Sequence, residues 1–74
     1  MKTTKEYQLF LRECRKEIAV QNLTQKQVAQ AVGADLSSFN GQLSGRSTHM
    51  SAARMLRVAR FLGISLDEIM EKAS

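Results

Sequence analysis

The 74-residue chain contains no proline and no tryptophan, and only one cysteine, one histidine and one tyrosine. Without proline, nothing in the chain obliges a helix to break from within. A lone cysteine, Cys14, excludes an intramolecular disulfide. No apolar run exceeds three residues, which leaves neither a membrane span nor the core of a signal peptide and points to the cytoplasm. One histidine and one cysteine give no paired metal-ligand spacing. There is no phosphate-cradling glycine loop, and the carboxylates are accounted for by helix capping, so neither an enzyme nor a cofactor is expected. Aromatic stacking on single strands has little to work with, because Phe10, Phe39 and Phe61 fall at core positions and only Tyr7 remains.

What is present is helix-forming sequence with clear start signals. Seventy-four residues bound one small domain, 1–74, with a single modest core. The net charge of +4 favours a polyanionic partner without the cation density of a nonspecific coating protein. Five helices account for nearly all of it, which makes the expected class all-α. The first runs from about Thr4 to Gln21, with Tyr7, Phe10, Leu11, Cys14 and Ile18 at helical spacing on one face. The second opens on Thr24 with Gln27 three residues on, a capping box, while Leu23 and Val28 stand where a hydrophobic staple closes. Val28, Ala29 and Val32 form its buried side. The fourth starts at Ser51 and offers Met55, Leu56, Ala59 and Leu62 as its inner face before Gly63 stops it. The fifth repeats the start signal with Ser65 and Glu68, stapled by Ile64 and Ile69.

Between the second and third helices the chain must turn sharply. Gly33 can take the left-handed conformation that ends a helix, and Asp35 can cap the next one, so few residues separate the two axes. A helix-turn-helix at about 24–44 follows. If Phe39 and Leu43 define the buried side of the third helix, rotation by about 100° per residue puts Ser37, Gly41 and Ser44 opposite, flanked by Ser38 and Asn40. The helix offers only serines, asparagine, glutamine and glycine where a protein-docking surface would show aromatic or methionine anchors. Reading the major groove needs hydrogen-bonding groups on short stems. An Asn40 amide can bond adenine N6 and N7 together, while Ser37 and Ser38 suit almost any base edge. Leu36, first in the helix, can meet a thymine methyl group, and Gly41 allows close approach of the backbone.

The run from Leu23 to Arg46 resembles the helix-turn-helix of the lambda-repressor-like family, which includes phage repressor and Cro proteins and the xenobiotic-response-element class of bacterial regulators. Leu23-Thr24-Gln25, Val28-Ala29, Gly33, Phe39, Leu43-Ser44-Gly45-Arg46 and the closing Leu62 to Ile69 fall at the family's spacing, so the likeness spans roughly residues 8 to 70. It implies a compact five-helix DNA-binding domain. It also implies a sequence-specific regulator of transcription on duplex DNA, of phage or prophage Cro/repressor type. In such proteins a glutamine at the place of Gln25 bonds a phosphate and braces a glutamine at the start of the recognition helix. Leu36 stands at that second place here, so only the phosphate role carries over. The family's frequent glutamate two residues before the glycine is Leu43, which favours packing over a polar tie.

Arg46 is placed to clamp a phosphate, with Lys26, Ser44 and Ser47 as further contacts. Arg54, Arg57 and Arg60 read instead as a solvated stripe that can balance Asp67, Glu68 and Glu71. His49 reads as an exposed residue of the connection after the third helix. A few base contacts of about 1 to 3 kcal/mol each do not single out one site in a genome, so a symmetric homodimer on an inverted-repeat operator is expected. Related small repressors pair through the fifth helix or the loop before it, which nominates Met50, Leu66 and Met70. The alternative is a protein-interaction module, antitoxin-like or antirepressor-like, on the same fold. The ending soon after the fifth helix suits both a Cro-like chain and the amino-terminal part of a larger repressor.

Overall fold

Each start signal begins a helix. In the computed structural model, which describes residues 4–46 and 49–74, α1 spans Lys5–Val20, α2 Gln25–Ala31, α3 Leu36–Leu43, α4 Ala52–Leu62 and α5 Leu66–Ala73. Thr4, Thr24, Asp35, Ser51 and Ser65 stand in extended backbone before the five helices, and each side chain accepts the backbone N–H three residues on. These caps satisfy donors that the first turn of a helix leaves free. The α2 box closes in both directions, with Thr24 N–H donating to Gln27 Oε1 at 2.8 Å and Gln27 N–H to Thr24 Oγ1 at 3.1 Å. In α5 only the forward half forms, from Glu68 N–H to Ser65 Oγ at 3.3 Å.

The helix ends are as local as the starts. Gly33 takes a φ of 72°, and the Ala34 N–H reaches back to the Ala29 carbonyl at 2.8 Å, closing α2 so that α3 can begin at once. Asn22 does the same after α1 with a φ of 56°, in the left-handed region that asparagine tolerates better than other side chains.

α1 is the spine of the packing. It lies against α3, α4 and α5, while α2 packs on α3 and α4. Phe10, Cys14, Val28, Phe39, Leu43 and Val58 are the largest side chains sealed in the core. Burial of each large apolar side chain contributes about 1.5 to 3 kcal/mol. The expected inner faces of α1, α2 and α3 are all buried. α4 differs. Its core stripe is Met55, Val58, Ala59 and Leu62, the i, i+3, i+4, i+7 pattern, and Leu56 lies about 100° off that line and is 59% exposed. Phe61, expected inside, is 44% exposed for the same reason.

Polar ties join the helices at their ends. Gln21 Nε2 donates to the Leu62 carbonyl at 2.8 Å and to Glu17 Oε1 at 3.0 Å, fastening the end of α1 to the end of α4. Lys72 and Glu13 form the one ion pair among the described residues, at 3.6 Å between α5 and α1. Asp67, Glu68 and Glu71 therefore form no ion pair with the α4 arginines. No described helix is long and apolar enough to cross a membrane.

Candidate nucleic-acid interface

The surface of α3 follows from its buried arc. Phe39, Leu43 and Gln42 point inward, which turns Ser37, Ser38 and Ser44 to solvent and leaves Gly41 and Asn40 half-buried at the sides. Leu36 is 38% exposed at the head of the helix, past the edge of the core. The outer face is thus made of short stems.

Two polar residues of α3 sit differently from the reading of the sequence. Gln42, grouped there with the outer polar residues, is the one buried polar side chain among the described residues, at 8% exposure. At about 300° around the helix from Phe39 it falls on the inward arc, and its Oε1 accepts from Arg54 Nη1 at 2.9 Å. Asn40 stands on the opposite flank with its Oδ1 enclosed and without a partner. Arg54 is correspondingly no part of a solvated stripe, although Arg57 and Arg60 are exposed as expected.

The outer phosphate candidates are exposed. Gln25 and Lys26 occupy the first turn of α2, and Arg46 follows the end of α3. Arg46 Nε donates to Ser44 Oγ at 3.0 Å, and Ser44 Oγ donates to the Gly41 carbonyl at 3.0 Å. This chain of weak exposed bonds folds the guanidinium back beside α3 without tying it down. Ser47 lies outside the described residues. At the same end of α3, Arg15 Nη1 donates to the Leu43 carbonyl at 2.8 Å, a cation at the negative end of the helix.

The connection into α4 is held from behind. Tyr7 Oη accepts the Met50 N–H at 3.0 Å, and the His49 ring lies 4.3 Å from the Tyr7 ring, centroid to centroid. His49 is half-buried where an exposed residue was expected, because the tyrosine of α1 offers it an aromatic face. Met50 is buried in the core of its own chain and is not available to a partner, whereas Leu66 is half-buried and Met70 is 55% exposed.

Charge is distributed to match. Between residues 19 and 65 the chain carries five cations, Lys26, Arg46, Arg54, Arg57 and Arg60, against one acid, Asp35, while six cations and six acids cancel in the remainder. The whole positive excess lies in the stretch that builds α2, α3 and α4. That segregation was readable from the sequence by counting charge by segment in place of summing it. Among the described residues no three of His, Cys, Asp and Glu come together as a metal group would require.

Two short helices around a glycine turn, the second displaying small polar side chains beside a cationic segment, define a helix-turn-helix protein that binds nucleic acid. Residues 15–72 match the family model of the Cro/C1-type helix-turn-helix DNA-binding domain, and the chain belongs to that family. It has the all-α lambda-repressor-like fold and is a DNA-binding regulator. No curated protein and no solved structure matches it.

Proposed function

We propose that the chain is a sequence-specific transcriptional regulator of phage or prophage type, acting in the cytoplasm as a single 1–74 domain that lays α3 in the major groove of duplex DNA. The exposed arc of short polar side chains on α3 carries this reading. Ser37, Ser38 and Asn40 read base edges, Gly41 permits close approach and Leu36 meets a thymine methyl group. Gln25, Lys26, Ser44, Arg46 and Ser47 grip phosphates on either side. Asn40 takes its place by turning its enclosed oxygen outward.

The protein works as a homodimer on an inverted repeat, with half-sites about one helical turn apart. A groove between α4 and α5 lined by Leu56, Ile64 and Leu66 supports this, because Arg57 and Arg60 border it together with Asp67. A surface carrying both charges can meet its own copy across a two-fold axis. Exposed Met70 extends the apolar area. A partner protein of another kind is the second reading, favoured by the exposure of Phe61 and Leu56 on α4.

Selection of bound sequences from a random duplex library tests both levels. Enrichment of one motif with two-fold symmetry is expected, with affinity falling by about 0.9 log unit per log unit of salt for each phosphate contact. Enrichment of nothing, with salt-insensitive binding to another protein, would reject the groove reading.

A further inference from the structure

We infer that Arg54 is a positioning residue for α3: through Gln42 it sets the roll of that helix about its own axis, and with it which short side chains meet the bases. The inference rests on the groove-reading role of α3 proposed above.

Two residues break local rules, and they meet each other. Gln42 occupies the inward arc of α3 with Phe39 and Leu43, where an apolar side chain would bury without an amide to satisfy. Arg54 occupies the third position of α4, with its own N–H donating to the Ser51 cap at 3.1 Å. The equivalent places in α2 and α5 hold Gln27 and Glu68. A glutamine or glutamate suits a first turn, and a cation there opposes the helix dipole. Neither choice is explained within its own helix. The 2.9 Å bond from Arg54 Nη1 to Gln42 Oε1 explains both.

The bond has a geometric consequence. α3 has eight residues, barely more than two turns, and its apolar anchors, Phe39 and Leu43, hold it by non-directional contacts. A hydrogen bond from a charged donor in a partly buried site is directional and weakens steeply off its axis. Gln42 also lies one turn after Ser38, so the pin sits directly beneath one edge of the base-reading face. Arg15, donating to the Leu43 carbonyl from α1, holds the adjacent residue along the helix axis. Arg54 from α4 and Arg15 from α1 thus grip consecutive residues from two sides.

The experiment uses the full chain and the motif it enriches from a random duplex library. Failure of the unaltered protein to enrich any motif removes the groove reading and the inference together. Given enrichment, Gln42→Leu and Arg54→Met are each expected to lower the ratio of affinities for selected over scrambled duplex about tenfold, the worth of one good base contact. The slope of affinity against salt stays unchanged, the melting temperature of Gln42→Leu is held or raised, and the double variant is no worse than either single one. Gln42→Glu, whose carboxylate still accepts from Arg54, keeps the ratio. A folded Gln42→Leu that discriminates as well as the unaltered chain overturns the inference. So does an Arg54→Met protein whose salt slope falls by about one while its ratio holds, since that is a phosphate contact. Should Gln42→Leu fail to fold, Gln42→Glu and Arg54→Met decide alone: different ratios support the pin, and equal ones refute it.

Discussion

Asn40 carries an enclosed oxygen that no donor among the described residues satisfies, and an unsatisfied buried acceptor costs about 1 to 3 kcal/mol. Replacing it removes that cost as well as the proposed base contact. Asn40→Ala is therefore expected to melt no lower than the unaltered chain while losing preference at one base pair. Equal loss on every duplex would reject the assignment. Arg46 predicts the reverse pattern. Its guanidinium is exposed and, among the described residues, held only by Ser44, so Arg46→Ala is expected to weaken all duplexes alike and to lower the salt slope by about one unit. Cys14 belongs at the same scale. Burial raises its thiol from 9.0 to about 12, against a smaller lowering by the Arg15 charge and a further raising by Glu13. The folded protein holds this proton while the unfolded chain releases it. The contribution to stability is full below pH 9 and is lost progressively as pH rises toward 12. Urea midpoints for the Cys14→Ala variant, whose cavity lowers stability at every pH, are expected to show a shallower decline over that window than those of the unaltered chain.

The caps give the elements their own energetics. Thr24 Oγ1 accepts the Gln27 N–H at 3.1 Å and Ser65 Oγ the Glu68 N–H at 3.3 Å, so Thr24→Ala is expected to cost about 1 kcal/mol and Ser65→Ala less. Urea unfolding compares them, and an equal loss would show that the shorter cap bond is worth no more than the longer one. Helix starts and stops were legible because their atoms lie within three or four residues of one another: Thr24 with Gln27, Asp35 with Ser38, Gly33 with its own φ. The inward placement of Phe39 and Leu43 followed from spacing alone. What the residues did not reveal was set by other helices. The phase of α4, which hides Val58 and exposes Leu56 and Phe61, depends on where α1 and α2 press against it. The seat of His49 is a ring forty-two positions away in sequence. Gln42 and Arg54 each looked ordinary until the fold brought them to 2.9 Å. In the candidate interface, accordingly, the exposure of the serines, Gln25, Lys26 and Arg46 was readable, and the bond from Arg54 to Gln42 was not.

At the scale of the molecule, the separation of charge and the groove between α4 and α5 make one prediction. Leu56→Glu replaces an apolar side chain of the proposed dimer surface with a charged one and touches no part of the buried core. A gel-shift titration on the full inverted repeat is expected to change from one cooperative step to two independent ones, while affinity for a single half-site is preserved. Cooperative binding that survives this change would move the dimer surface elsewhere. Because the net charge outside residues 19–65 is zero, the salt response is expected to come chiefly from Lys26, Arg46 and the cations of α4.

The tyrosine that secures His49 and Met50 is also the strongest fluorophore in a chain without tryptophan. Its emission therefore reports, with no label attached, whether the first helix is docked against the strap leading into the fourth. Undocking of the amino end of α1 is therefore expected to register as an optical change.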